Sequence, residues 1–185
     1  TGVQTCALPI SRKVHLNTWE ALYFRQSLPD LCDLAEAAAS LGVERFVLDD
    51  GWFRGRRDDT TSLGDWTPDT AVFPEGLAPL VQRVQALGMD FGLWVEPEML
   101  SPDSELARTH PEWCLAVPDQ PRPTQRHQWV LDLTLPAAAE HVFGCLDRLL
   151  AGGGIAYLKW DHNRELFPRA GRGHAQVARG TVADR

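Results

Sequence analysis

A chain of 185 residues, 44% hydrophobic and 23% charged, has the composition of one globular unit, long enough to bury a core and too apolar for a disordered segment. Its net charge of -7 argues against nucleic-acid binding, which needs clustered excess lysine and arginine; the one basic cluster, Arg54, Arg56 and Arg57, is followed at once by Asp58 and Asp59. No apolar run approaches the roughly 20 residues of a membrane span, and the cysteines at 6, 32, 114 and 145 form no CxxC pair, so free thiols in a reducing cytoplasm are expected.

The first ten residues, TGVQTCALPI, follow neither strand nor helix period and look like a translated sequencing adapter; they are set aside as a non-native scar. Val14 to Thr18 reads as a first strand running into Trp19-Glu20. A helix follows from about Asp30, with Leu31, Leu34, Ala38 and Leu41 on one face and Gly42 as its stop. Arg45 to Leu48 is a short apolar run of the kind buried on both faces, and it ends in Asp49-Asp50-Gly51-Trp52. A long polar insertion turns helical at Leu77, Leu80, Val81, Val84 and Leu87, closing at Gly88.

The third strand, Asp90 to Val95, opens into Glu96-Pro97-Glu98-Met99. Ser101 to Ser104 supplies helix-start chemistry for a short helix reaching His110. Val130 to Leu133 is extended. From Pro136 a helix runs with Ala139, Val142, Phe143, Leu146 and Leu150 facing inward, to end at Gly152-Gly153-Gly154. The last strand, Ala156 to Trp160, delivers Asp161-His162-Asn163. Pro168 to Arg185, rich in Gly, Arg and Ala without periodicity, reads as a frayed or truncated end.

Alternating strands and helices predict βα units on a parallel sheet. Each strand ends in acids or tryptophan, and in a parallel barrel those ends share the face where barrel enzymes keep their sites. An open doubly wound sheet would usually carry a Gly-rich phosphate loop, and the chain has none. The fold expected is therefore α/β, a (β/α)8 TIM barrel represented by about its first four βα units over residues 12–167.

Two adjacent carboxylates followed by Gly and Trp suit a sugar: the acids accept hydrogen bonds from neighbouring hydroxyls, and the indole gives a flat apolar wall. On the last strand, period-two alternation puts Tyr157, Lys159 and Asp161 on one side, so a cation is expected beside Asp161 to hold it ionised, as a nucleophile requires. Glu96 and Glu98 with Asp49 and Asp50 would alternatively make an oxygen-rich site for magnesium or manganese; the tryptophans interleaved with them argue against it.

Five segments carry a resemblance: Asn17-Thr18-Trp19-Glu20-Ala21, Asp49-Asp50-Gly51-Trp52-Phe53, Leu63-Gly64-Asp65-Trp66, Gly92-Leu93-Trp94-Val95-Glu96-Pro97-Glu98-Met99 and Lys159-Trp160-Asp161-His162-Asn163. In this order they resemble the α-galactosidases of glycoside hydrolase family 36. The resemblance implies a retaining α-galactosidase on a (β/α)8 barrel, acting on terminal α-galactosides of the melibiose and raffinose type without metal or other cofactor. It matches Asp161 to the nucleophile, Asp49 and Asp50 to the acids that hold galactose hydroxyls, and Trp19 and Trp94 to aromatic walls. Lys159, Asn163 and Arg126 match polar sugar contacts. The acid/base lies on a later barrel strand of that family, so the activity is expected of a longer, homo-oligomeric parent protein. This chain alone is expected to be inactive. A raffinose-synthase-type galactosyl transferase, an α-N-acetylgalactosaminidase and an inactive carbohydrate-binding fragment are the alternatives.

Overall fold

The computed structural model describes residues 12–117 and 120–164. The adapter-like residues 1–10 and the end expected to fray, 168–185, lie outside them. Four strands, β1 (His15–Asn17), β2 (Arg45–Leu48), β3 (Asp90–Val95) and β6 (Ile155–Trp160), form one parallel sheet in the order β1-β2-β3-β6. Each new strand is added at the same edge, without the reversal that marks a doubly wound sheet. This is a parallel sheet of the α/β type.

The connections are helical because the apolar positions between strands recur at three and four residues. Ser27 caps α2 (Leu28–Ser40), its hydroxyl accepting the Asp30 N–H, and Pro29 sits in the first turn. α3 (Ala78–Ala86) buries Leu80, Val81 and Val84. α5 (Pro136–Ala151) leads into β6. Phe46, Leu48, Phe91, Leu93 and Leu31 are fully buried in the core between sheet and helices. Gly92 keeps the middle of β3 bare, since a Cβ there would stand 3.0 Å from Tyr157 and 3.1 Å from Val47.

Several expectations are corrected. β1 is three residues long; Thr18 stands at the N-cap of a single helical turn, α1 (Trp19–Leu22), and Val14 is exposed. Leu41 caps the end of α2 and is 82% exposed rather than inward. In α5 the inward residues are Ala138, Val142 and Cys145, while Phe143 is 70% and Leu150 41% exposed. That helix carries apolar residues around most of its circumference, so its pattern fits two faces, and the neighbours choose between them. The extended segment near Val130 is narrower than expected: Trp129–Val130 (β5) pairs antiparallel with Met99–Leu100 (β4), a contact invisible in two-residue strands. Ser104 caps the short α4 (Glu105–Thr109). Among the described residues no helix is long and apolar enough to cross a membrane.

Candidate active site

At the C-terminal edge of the sheet lies a cavity of about 350 Å³. Around it stand all eight residues singled out from the sequence: Trp19, Asp49, Asp50, Trp94, Arg126, Lys159, Asp161 and Asn163. Phe24, Arg56, Asp59, Glu96 and Gln128 complete the lining.

β2 is buried on both faces, so the chain leaving it carries Asp49 and Asp50 into the protein, where they are 3% and 6% exposed. Their backbone is anchored. The Asp49 N–H donates to the Thr18 hydroxyl at 2.9 Å, and the Gln26 amide donates to the carbonyls of Asp49 at 3.2 Å and Asp50 at 2.7 Å. Gly51 makes the turn at φ 110°, a conformation closed to most side chains; a Cβ there would also press on Gln26.

The carboxylates are handled separately. Lys159 Nζ donates to Asp49 Oδ2 at 2.7 Å. Asp50 is gripped by the fork of Arg56, Nε lying 3.0 Å from Oδ1 and Nη2 2.8 Å from Oδ2. Burial pushes the Asp50 carboxyl above its ordinary value and the Asp49 charge adds to this, while Arg56 and the Gly51 N–H oppose it.

Asp161 follows β6, its N–H continuing the ladder to Val95 O at 2.8 Å. Its carboxylate accepts three N–H bonds: Trp94 Nε1 at 2.9 Å and Asn163 Nδ2 at 2.7 Å on Oδ2, and the His162 backbone at 2.9 Å on Oδ1. Burial raises this carboxyl, but those donors and the Lys159 charge outweigh it, and the group is held below its ordinary value. The Lys159 charge thus acts on Asp161 as expected of a neighbouring cation, but through space, without a hydrogen bond to it. Lysine is long enough to reach across β3, and its ammonium bonds to the more deeply buried Asp49. Trp94, expected as a flat wall, is 2% exposed and meets Asp161 with its indole N–H.

Glu96 is 1% exposed; its Oε1 accepts the Asn163 N–H at 2.5 Å and its Oε2 accepts from Gln128 Nε2 at 3.3 Å. Burial raises its carboxyl, the charges of Asp161 and Asp50 push the same way, and Asn163 opposes them. Glu98 instead accepts from the Trp160 indole at 3.0 Å, at the outer edge of the sheet. Asp49, Asp50, Glu96 and Glu98, weighed above as a metal set, therefore each have their own cation or N–H donors. Among the described residues no three His, Cys, Asp or Glu side chains are grouped to hold a metal ion. Trp19 is half-buried, edge-on to Tyr23 and Phe24, and Arg126 is exposed at φ 52° in the tight turn between Gln125 and Gln128. Trp52 and Trp66 lie in the core, and Trp52 Nε1 donates to Trp94 O at 2.9 Å.

Arg56 escaped the sequence reading. The basic cluster looked compensated by Asp58 and Asp59, yet its arginines go to three other carboxylates: Arg54 to Glu105, Arg56 to Asp50 and Arg57 to Asp69. The signal available was an arginine a short loop after two buried acids.

An open cavity lined with acids, indoles and amides has the hydrogen-bonding and apolar chemistry that suits a polyhydroxylated ring. Comparison with known proteins points the same way. Residues 7–183 match the family model described as Melibiase. The chain is 49% identical over 164 residues to an alpha-galactosidase of Escherichia coli, covering 89% of this chain and 23% of that protein. Among solved structures, the GH36 alpha-galactosidase AgaB from Geobacillus stearothermophilus superposes with a TM-score of 0.82 at 48% identity, over 84% of this chain and 21% of that one. A variant of AgaA from the same organism, solved in complex with raffinose, gives a TM-score of 0.83 at 43% identity, over 89% of this chain and 24% of the other. The chain thus spans less than a quarter of each of these relatives.

Proposed function

The chain belongs to the melibiase family, and from that premise we propose that it forms the sugar-binding half of the catalytic barrel of a retaining α-galactosidase. β1, β2, β3 and β6 are read as the first four strands of an eight-stranded barrel. The substrate is a terminal α-galactoside of the melibiose or raffinose type, the latter being what the AgaA variant holds. The free thiols Cys32, Cys114 and Cys145 suit a reducing cytoplasm.

The observation that carries the reading is Asp161: a carboxylate at the C-terminal end of a parallel strand, facing the same cavity as two buried acids, and kept ionised by three N–H donors. Such a group has its charge ready and its orientation fixed. In the proposed reaction Asp161 attacks the anomeric carbon while a carboxylic acid from outside the described residues protonates the departing oxygen. The glycosyl-enzyme bond forms as the glycosidic bond breaks. Water then attacks the same carbon and displaces Asp161 as a free carboxylate, giving its proton to that second group, and galactose leaves with its α configuration. Asp49 and Asp50 accept hydrogen bonds from galactose hydroxyls, Trp19 and Trp94 bound the ring, and Lys159, Asn163 and Arg126 supply polar contacts.

The test is to treat the full-length protein with an activated fluoro-galactoside and map the labelled peptide. Label on Asp161, with α-galactose as first product, is the expected result. Label on Glu96 or Glu98, or release of the β anomer, overturns the assignment.

A further inference from the structure

Arg56 is an unusual residue to find 1% exposed. Its guanidinium lies over the rings of Phe24 and Phe53, 5.6 and 5.8 Å from their centroids. It spends its donors on two things. Nη1 donates to Thr61 O at 2.8 Å, which fastens the loop; Nε and Nη2 clamp both oxygens of Asp50. The loop is secured independently by Arg57, which donates to Gly51 O and Arg56 O at 2.9 Å and pairs with Asp69. Thr61 Oγ1 closes it on Gly55 O at 2.9 Å. The clamp on Asp50 is therefore surplus to holding the loop.

We infer that Arg56 is a positioning residue for sugar binding: its planar fork fixes the plane of the Asp50 carboxylate and keeps it an acceptor, so that the acceptor site left uncovered faces the cavity. A carboxylate offers about four acceptor sites; the fork covers one on each oxygen and the Gly51 N–H takes a third, leaving about one for a hydroxyl. A buried carboxyl without a counter-charge takes up a proton instead, becoming a donor where the sugar needs an acceptor. The charged neighbours sharpen this. Asp49 beside it disfavours ionisation of Asp50, and the Asp50 charge in turn pushes up the carboxyl of Glu96 at the end of β3. Lys159 is committed to Asp49, Asp161 adds negative charge from β6, and Asp59 and Arg126 stand at the cavity wall. Arg56 is the cation that answers Asp50 directly.

This rests on Asp50 being a sugar ligand, and the experiment separates the two ideas. In the full-length protein, Arg56→Gln and Arg56→Lys are measured for kcat and KM on an aryl α-galactoside across pH, each alone and with Asp50→Asn. Arg56→Gln is expected to cut kcat/KM by about 30-fold at neutral pH, chiefly through KM, and to move its acid limb to higher pH. Arg56→Lys, with charge but no fork, is expected to lose about 10-fold with a smaller displacement, and it carries the test if Arg56→Gln does not fold. In the Asp50→Asn background neither change should lower kcat/KM further. The proposal is overturned if the losses multiply in that background, or if thermal stability falls while KM and the acid limb of the folded enzyme stay put. Should Asp50→Asn itself leave kcat/KM at the wild-type value, it is the reading of Asp50 as a sugar ligand that fails.

Discussion

Lys159→Met in this chain strands the Asp49 carboxylate, and the cost follows from the unequal exposure of the two partners. Removing one member of a buried ion pair costs about 3–5 kcal/mol, because the other charge stays buried without compensation. Here the Asp49 side chain is 5% exposed and that of Lys159 34%, so water screens one end of the pair. The loss is accordingly set at about 2–3 kcal/mol, or roughly 1 M in the urea midpoint of a domain this size. The converse change, Asp49→Asn, leaves an ammonium free to turn toward solvent and is expected to cost about 1 kcal/mol. The double variant should match Asp49→Asn alone. Urea unfolding followed by tryptophan fluorescence reads all three. The reasoning is refuted if Asp49→Asn costs as much as Lys159→Met, or if the double variant shows their sum.

Trp94→Phe keeps an aromatic ring but removes a donor to the ionised form of Asp161; with fewer bonds holding that carboxyl low, its titration moves up, and kcat/KM of the full-length enzyme should fall off at higher pH on acidification. Glu96 has a raised carboxyl, chiefly from burial, so the folded chain keeps its proton longer than the unfolded one: the stabilisation is complete below the ordinary carboxylate value and is lost as pH rises through the raised one. Glu96→Gln, which cannot ionise, should therefore gain stability relative to wild type between about pH 4 and pH 8, as unfolding at the two extremes will show. Gly154→Ala should cost at least about 2 kcal/mol, since its φ of 84° is strained for alanine and its Cβ would run into the Val81 side chain, whereas Gly42→Ala, with φ 79° and open space, should cost about 1 kcal/mol. Differential scanning calorimetry distinguishes these.

What could be read in advance was whatever the chain states locally. Arg45 to Leu48 and Asp90 to Val95 are apolar runs ending in acids, and a strand is the economical reading of each. The cavity residues follow, because parallel strands put their ends on one face. What could not be read depends on neighbours. Lys159 and Asp161 share a side of β6, yet the ammonium reaches Asp49 because β3 stands between as a spacer of the right width. Arg56 finds Asp50 through the curvature of its loop, which no period encodes. Phe143 and Val142 are adjacent on a helix apolar nearly all round, and only the packed neighbours of Val142, Leu100, Leu106 and Leu131 among them, decide that the phenyl faces out.

The ion pair between Lys159 and Asp49 joins residues 110 positions apart, whereas Arg56 follows Asp50 by six. At roughly 5–20 residues per second of synthesis, the arginine that pairs with Asp50 is added within about a second of it, and the lysine that pairs with Asp49 about 5–20 s later. The end of β2 thus carries one carboxylate whose cation is local in the chain and one whose cation arrives only with β6. Burial of Asp49 at this edge of the sheet therefore depends on β6, whereas the Asp50 pair depends only on its own loop.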